Sequence, residues 1–425
     1  MRALVINFML LGCVLIALFQ PWAGVLGYNW FTYMNPHRLA WGLGIPIPWA
    51  KVIAGLTLAG WLLGGLKGFR LTWVTGLLLA LLVWTTITSL DALFPTRAWE
   101  DWTEFAKMAV TALAATALLD DRRRLHAFVW IVVISLAYWT VKGGLYVVLT
   151  GGSGRVVGPP QSQFPETNRF ARVAIMVMPL MWWLRLHSAR PWVRRAMMLA
   201  TGLTLLSLIG TGSRGGFVGF VAMLGFAWLH SRRKLGMALL GGLAVGALLL
   251  AVPVERLTGY TERIGTIGDY AEESSAKSRF KTWAFALDMA EREPVTGGGF
   301  GAFLANQQET SRVGYYEAHS IYFQMLGEHG WAGLGLWLAL ALAVLLTGRR
   351  AMLRAEAHPH LYWARDLAMM LQISVVGFLV GGAFENLAFF ELYYTLAAML
   401  VLTDRIVARE AVQQSPVRIP ALEAT

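Results

Sequence analysis

Long apolar runs separated by short polar stretches recur along almost the whole chain. The runs are about 17 to 25 residues long, which lets an α-helix cross a hydrocarbon core of roughly 30 Å. They lack the strict alternation of barrel strands, and a helix satisfies its own backbone hydrogen bonds in lipid. The pattern therefore predicts an all-α polytopic integral membrane protein with about twelve transmembrane helices. The predicted spans are residues 3–34, 49–66, 71–90, 103–119, 126–150, 169–187, 192–211, 214–230, 234–253, 319–346, 365–385 and 388–405.

Composition supports a membrane protein. Hydrophobic residues make up 56% of the 425 positions and charged residues only 14%, whereas a soluble domain carries about 25% charged residues. The formal net charge of +11 would suggest nucleic acid as the partner of a soluble protein. Here the basic residues lie in short loops between apolar runs, so the expected partners include membrane lipids and exclude nucleic acid.

The charged loops predict the orientation of the chain. If the spans are right, the most basic loops all fall on one side, which the positive-inside rule assigns to the cytoplasm. Residues 91–102, 151–168, 211–214, 254–318 and 385–388 fall on the opposite, outward side. No internal repeat stands out, so residues 1–425 are predicted to form a single transmembrane domain. Pro21, inside the first run, predicts either a kink or a hairpin tip.

The largest outward loop covers residues 254–318, far more than the usual connection of about 4–6 residues, which favours a functional role. Its residues 274–290 have helical periodicity and predict an amphipathic helix lying in the membrane interface. The apolar stripe comprises Ala276, Phe280, Trp283, Leu287 and Ala290. Arg279 and Lys281 flank this stripe, and they either reach lipid headgroups or bind an anionic substrate.

Two outward residues are the main candidates for chemistry. Arg214 occupies a short turn among glycines at a predicted helix start, where it either binds an anion or forms a structural ion pair. His319 opens the longest run and is either a capping residue or a proton acceptor. Tyr316 and Glu317 give it a polar, aromatic approach, and Gln324 extends a polar strip into the following helix.

Other outward polar residues are supporting candidates. Lys142, beside two glycines, is either a functional cation or a break near the interface. Arg155 and Asn168 belong to a Gly- and Pro-rich loop that either lines a site or only crosses the surface. Glu385 ends an apolar run on the outward side, where its carboxylate can orient an arginine or a histidine.

The motifs of several other enzyme classes are missing from the sequence. There is no Walker loop, HExxH helix, GxSxG elbow or DxD motif, although Glu100 and Asp101 leave room for a metal. The outward candidates are arginines and a histidine, so we expect chemistry without a metal or another cofactor. A transporter of lipid-linked sugars is a different class of protein. It would be expected to have polar residues spread through the bilayer rather than collected on one face.

Three motifs resemble those of the O-antigen ligase and Wzy-type polymerase superfamily. "AHSIYFQMLGEHGWAGLG" is similar to the pattern H-[NS]-x-x-x-Q-x-L-x-E-x-G-x-x-G, matched from His319 to Gly333. "TGSRGG" resembles the S-R-G turn of these proteins, and "SRFKTWAFALDMAEREPVTGGGFGAF" resembles their third element. "YMNPHRLAWG" further resembles the exosortase-associated O-glycosylation ligase branch.

This resemblance implies a glycosyltransferase with a GT-C-like membrane fold in the bacterial inner membrane, acting at the periplasmic face. Its donor would be a glycan on undecaprenyl pyrophosphate. The acceptor would be the lipid A-core oligosaccharide in a ligase, another lipid-linked repeat in a polymerase, or a protein hydroxyl in some relatives. His319 would then be the general base, and Arg214 and Arg279 would bind the pyrophosphate. Ser320 departs from the Asn that many members have at this position.

Overall fold

In the computed structural model, residues 16–36, 48–231, 268–305 and 317–413 are described, with the single positions 12, 234, 236, 242 and 246; side chains of residues 268–278 are not. All regular structure in this described part is helical. The main helices are α1 Pro21–Met34, α2 Trp49–Leu63, α3 Trp73–Leu90, α4 Pro95–Leu118, α5 Arg122–Leu149, α6 Thr167–His187, α7 Pro191–Thr211, α8 Arg214–His230, α9 Gly268–Arg292, α10 Ile321–Glu356, α11 Tyr362–Gly382 and α12 Glu391–Gln413.

The helices follow the apolar runs closely, as shown by α8, which has the predicted bounds. By length and composition, five stretches within the described residues can cross a membrane: α3, α5, α7, α10 and Pro359–Gly382. The protein is therefore a helical membrane protein. The predicted span 234–253 and the start of the span 3–34 lie outside the described ranges.

Predicted helix boundaries need correction at several places, mainly because hydropathy does not register charged helical turns; the helix predicted at 388–405, for example, begins at Glu391 and continues to Gln413. The helix predicted at 103–119 begins at Pro95, a residue well suited to the first helical position. Its added turns carry an Arg97–Asp101 ion pair of 2.7 Å at the i,i+4 spacing. The helix predicted at 319–346 continues to Glu356. The break expected at Pro21 is confirmed, because Gln20 interrupts the helix and Pro21 starts α1.

The longest helix, α10, is kinked at Gly330, whose φ of 66° and ψ of −172° are not helical. The glycine-rich loop after α9 docks against this kink. The N–H groups of Gly298 and Gly299 donate to the carbonyls of Gly327 and Glu328 at 3.0 and 2.8 Å. Gly297, with a φ of 62°, passes so near the kink that a Cβ there would lie 2.6 Å from the Gly330 nitrogen. Only glycine permits this conformation and approach without strain.

The charge-based sorting of loops agrees with the contacts at the two ends of the bundle. Contacts at the basic end join Arg405 to Gly68, Arg409 to Asp120, His187 to Asp366 and Arg354 to Asp404. Contacts at the other end join Leu93 to Gly298, Val156 to Gly210, Arg169 to Glu317 and Gln324 to Ala388. The described parts of the predicted outward segments therefore meet at one end. Between the ends, α12 is buried at every residue from 391 to 404.

Candidate functional site

The backbone at His319 is held in an unusual conformation. Its φ of 47° is left-handed, which is uncommon for a residue other than glycine. On one side of it, the indole Nε1 of Trp283 donates to the Ala318 carbonyl at 2.9 Å. On the other side, the Trp283 ring stacks on Phe323, with ring centroids 4.8 Å apart. Helix α9 therefore clamps the chain just before and just after His319.

The His319 side chain is suited to accept a proton. Its Nδ1 is buried and has no hydrogen-bond partner among the described residues. Burial lowers the pKa of the imidazole, Glu317 raises it, and the nearby Arg279 lowers it. The neutral ring, which is the form that can act as a base, is therefore favoured. Arg279 and His319, predicted from separate motifs, are brought within electrostatic range of each other.

Two carboxylates lie beside His319. Glu317 forms an ion pair with Arg169, in which the arginine Nη2 lies 3.1 Å from the glutamate Oε1. Glu385 is only 2% exposed, and its Oε2 has no hydrogen-bond partner in the described ranges. Burial raises the pKa of Glu385, while Arg169 and Arg172 oppose this shift. One potential ligand atom from each of Glu317, His319 and Glu385 lies within 4.8 Å of the others, so this set can hold either a metal ion or a hydrogen-bonded substrate group.

The S-R-G turn is anchored to α6. Ser213 Oγ accepts a hydrogen bond from the Gly216 N–H at 3.0 Å, which caps α8, and donates to Asn168 Oδ1 at 2.7 Å. Asn168 is therefore bonded to the turn that carries Arg214, and its role in a site stays a prediction. Arg214 is the first residue of α8 and its side chain is exposed. A Cβ on the next residue, Gly215, would lie 3.1 Å from Phe384 Cβ, so this turn borders the loop that carries Glu385.

Arg172 was not identified from the sequence. It is 1% exposed, and its Nη1 donates to the Gly215 carbonyl at 2.7 Å. Glycines form its enclosure: a Cβ at Gly381 would lie 1.9 Å from Nη1, and one at Gly219 would lie 3.0 Å from it. The sequence could have pointed to Arg172, because it lies inside the predicted span 169–187 and intramembrane cations are rare and usually face a partner.

Gln324 and its neighbour Glu328 connect loops rather than facing His319. Gln324 Oε1 accepts from the Ala388 N–H at 3.0 Å, and its Nε2 donates to Glu328 at 3.2 Å. Glu328 Oε1 accepts from the Gly301 N–H, also at 3.2 Å. This pair therefore fixes both the loop after α11 and the glycine-rich loop against α10.

Three other candidates have exposed side chains: Lys142, Arg155 and Lys281. The ammonium of Lys142 lies 5.6 Å from the Trp139 ring centroid, which is a cation–π contact within α5. The neighbouring Gly143 and Gly144 serve close packing of α5 on α7, because Cβ atoms there would collide with Ser207 and Leu203. Tyr316 lies outside the described residues.

The amphipathic helix expected near 274–290 lies within α9, but its apolar stripe is divided between two environments. Phe280 and Leu287 are 65% and 42% exposed, whereas Ala290 is buried. The buried face is centred on Thr282 and Ala286 and packs against the start of α10. The position of this helix in the membrane interface stays a prediction. Trp283 and Ala286 make the contact of α9 with α10, while Phe280 and Leu287 stay exposed.

A cavity of about 490 Å³ opens next to the His319 cluster. Arg169 and Glu317 form part of its wall, so the cavity borders the cluster directly. Other lining residues come from α4, α10 and three loops: Arg97, Asp101, Glu104, Gln163, Phe300, Phe303, Gln324, Glu328, Phe389 and Phe390. Of these, the sequence identified Glu317 and Gln324 as site candidates and had noted Asp101. Arg97, Asp101 and Glu104 were detectable as charged residues at helical spacing, once α4 is known to start at Pro95.

Together, the apolar helices and the polar end define a helical membrane protein that gathers a histidine, arginines and carboxylates at one end of its bundle. Residues 196–338 match the family described as O-Antigen ligase, and residues 1–189 match a family of unknown function. The 196–338 segment therefore belongs to the O-antigen ligase and Wzy-type superfamily, which confirms the resemblance. It contains Arg214, Arg279 and His319, whereas Arg169 and Arg172 lie in the other matched segment. No curated protein matches the chain.

Proposed function

We propose that this protein is an O-antigen ligase-type glycosyltransferase. It moves a glycan from undecaprenyl pyrophosphate to an acceptor hydroxyl, with the lipid A-core oligosaccharide as the acceptor. The family match supports ligase- or polymerase-type chemistry. The observation that carries the proposal is the buried His319 Nδ1, which lacks a partner among the described residues and lies close to Arg279 and Glu317.

In the proposed reaction, His319 accepts the proton of the acceptor hydroxyl as its oxygen attacks the anomeric carbon of the donor sugar. The new glycosidic bond forms while the bond to the pyrophosphate oxygen breaks, and the pyrophosphate leaves with the bonding electron pair. Direct displacement inverts the anomeric carbon. One protein base is then sufficient, unlike the carboxylate pair of a glycosidase.

The leaving pyrophosphate gains negative charge, which fixed cations stabilise. Arg279 is the first candidate because it lies within electrostatic range of His319. Arg214 is the second, at the N-terminus of α8, where the dipole of the helix also attracts anions. Arginine suits this role because its planar guanidinium can bind phosphate through two hydrogen bonds.

We further propose that transfer does not depend on a metal. The cluster of Glu317, His319 and Glu385 has the ligand types for a divalent cation. However, Arg169 already pairs with Glu317, and both Arg169 and Arg172 act on Glu385. These cations neutralise the carboxylates that a metal would need. Full activity in EDTA supports this proposal, and loss of activity that Mg²⁺ or Mn²⁺ restores would contradict it.

The proposed setting is the bacterial inner membrane, with about twelve helices in a GT-C-like arrangement. The basic end of the bundle faces the cytoplasm under the positive-inside rule. The His319 end then faces the periplasm, where residues 254–318 form the large loop.

The test is reconstituted transfer with one purified lipid-linked repeat and purified lipid A-core. A ligase joins the two, a Wzy-type polymerase lengthens the lipid-linked glycan without lipid A, and a protein O-oligosaccharyltransferase requires a protein acceptor. His319→Ala should abolish transfer in a protein that remains folded, whereas Arg214→Ala and Arg279→Ala should raise the KM for the donor. Full transfer by the His319→Ala protein would rule out the general-base role.

A further inference from the structure

We propose that the 490 Å³ cavity beside His319 binds the neutral, hydroxyl-rich sugar units of a glycan substrate, and that α4 supplies its recognition wall. This inference rests on the proposed transferase function. It also assigns a role to part of the 1–189 segment, whose matching family has no known function.

The cavity joins the two matched segments. One wall comes from the O-antigen ligase segment through Glu317, Gln324 and Glu328. The facing wall comes from α4 through Arg97, Asp101 and Glu104, whose spacing puts them on one helix face. The Leu93 N–H donates to the Gly298 carbonyl at 3.0 Å, which ties the start of α4 to the glycine-rich loop. The two walls are therefore fixed relative to each other.

The lining has the two kinds of group that carbohydrates use. The partly exposed ring of Phe389 presents apolar surface to the C–H faces of a sugar, and the buried ring of Phe300 supports it at a centroid distance of 4.8 Å. The carboxylates of Asp101 and Glu104 accept hydrogen bonds from hydroxyl groups. The volume falls within the range of about 300–1,000 Å³ that is typical of small-molecule sites.

Charge distinguishes this cavity from a pyrophosphate site. Its arginines already pair with carboxylates: Arg97 with Asp101 at 2.7 Å, and Arg169 with Glu317 at 3.1 Å. Glu104 likewise pairs with Lys51 at 3.0 Å. The wall thus offers phosphate little uncompensated positive charge, whereas neutral hydroxyls can bond to groups in these ion pairs.

The position of the cavity relates sugar binding to the chemistry. Glu317 and Arg169 line the cavity, and Glu317 also belongs to the cluster with His319. A sugar bound in the cavity therefore lies next to the proposed base.

The experiment measures binding separately from transfer, using the purified full-length protein in detergent. The probes are lipid-free fragments of the core oligosaccharide and of the repeat-unit glycan that contain no acidic sugar and no phosphate, with an oligogalacturonide as a charged comparison. Equilibrium binding is measured for the unsubstituted protein, Asp101→Asn and Glu104→Gln. The matched control is Asp288→Asn, because Asp288 forms an i,i+4 ion pair with Arg292 on α9 that does not line the cavity.

We expect a neutral probe to bind the unsubstituted and Asp288→Asn proteins with similar affinity. Asp101→Asn and Glu104→Gln should weaken binding about tenfold, the scale of one lost hydrogen bond to a charged group. The bound probe identifies the sugar as that of the acceptor or of the donor. No binding by the unsubstituted protein, equal binding by all variants, or preference for the oligogalacturonide overturns the inference. If a neutral probe binds in this pattern and no transfer occurs, the proposed function fails while the binding site stands.

Discussion

Arg169 Nη2 donates to both oxygens of Glu317, at 3.1 and 3.3 Å. The contact joins the first turns of α6 to the residue two positions before His319, across 148 positions of sequence. Arg169 belongs to the segment matched to a family of unknown function, and Glu317 to the O-antigen ligase segment. The ion pair therefore holds the two segments together at the proposed catalytic residue.

Arg169→Gln should lower the transfer rate and the stability of the protein together. It leaves the half-buried Glu317 carboxylate without its charged partner, at a cost of about 1–3 kcal/mol. We expect a fall of about tenfold in kcat, equivalent to roughly 1.4 kcal/mol, with a lower midpoint of thermal unfolding in detergent.

Arg169→Lys provides a graded comparison, because lysine keeps the charge but lacks the planar fork. Its activity should fall between those of Arg169→Gln and the unsubstituted protein. Full kcat in Arg169→Gln would show that the pair does not position the site.

Trp283→Phe should separate the two roles of this indole. The substitution removes the hydrogen bond to the Ala318 carbonyl but retains a ring that can stack on Phe323. Since the lost bond is net worth about 0.5–1.5 kcal/mol, the thermal midpoint should fall only slightly. The transfer rate should fall more, because His319 loses its backbone anchor. Trp331→Phe is the control, since Trp331 is 55% exposed; an equal loss in both variants would contradict the anchor.

Gly381→Ala should displace Arg172. The new methyl group would lie 1.9 Å from Nη1 of an arginine that is enclosed by other glycines. Overpacking of this kind costs about 1–3 kcal/mol, and the hydrogen bond to the Gly215 carbonyl beside Arg214 should be lost as well. The midpoint of thermal unfolding should therefore fall, and the KM for the donor should rise.

Gly225→Ala is the matched control for Gly381→Ala. Gly225 is also helical, and a Cβ there meets no atom within 4 Å. Alanine should therefore be neutral or stabilise α8 by up to about 1 kcal/mol. Normal stability and normal donor KM in Gly381→Ala would show that Arg172 can leave its enclosure without consequence.

The pH dependence of transfer should reflect the environment of His319. Burial lowers its pKa below the ordinary value of 6.5, so the neutral base persists as the pH falls through that value. The logarithm of kcat should therefore stay flat through pH 6.5 and decline only in more acidic solution. A decline that begins above pH 6.5 would contradict this assignment.

Two substitutions should move the acid limb of the pH profile, where kcat declines, in opposite directions. Arg279 lowers the pKa of His319 and Glu317 raises it. Arg279→Gln should therefore shift the limb to higher pH, and Glu317→Gln should shift it to lower pH. Profiles of kcat against pH at saturating substrates measure both shifts.

The sequence predicted the parts of the fold that depend on local periodicity. Most helices were predicted from the length of the apolar runs, because a segment in lipid must form its backbone hydrogen bonds within itself. Pro21 marked a helix break because proline lacks the N–H that helix interiors need. Loop charge sorted the chain into two ends, and the contacts agree with that sorting.

The candidate site was only partly predictable. Arg279 and His319 were found from their motifs and lie within electrostatic range of each other. Arg172, in contrast, becomes recognisable as part of the site only when α6, α8 and α11 pack, because its enclosure comes from Gly215, Gly219 and Gly381. The role of Gln324 changed for the same reason, since its partner Ala388 is 64 positions away.

By itself, the sequence determined a helical membrane protein with a histidine and arginines at one end, because hydropathy, charge and motif spacing are local properties of the chain. The sequence also named Glu317 and Glu385 as candidates, but tertiary structure alone decided that both carboxylates lie together beside His319, how α9 docks, and that α4 closes a cavity beside the site. These features depend on contacts between residues far apart in sequence, whose geometry arises only when the helices pack.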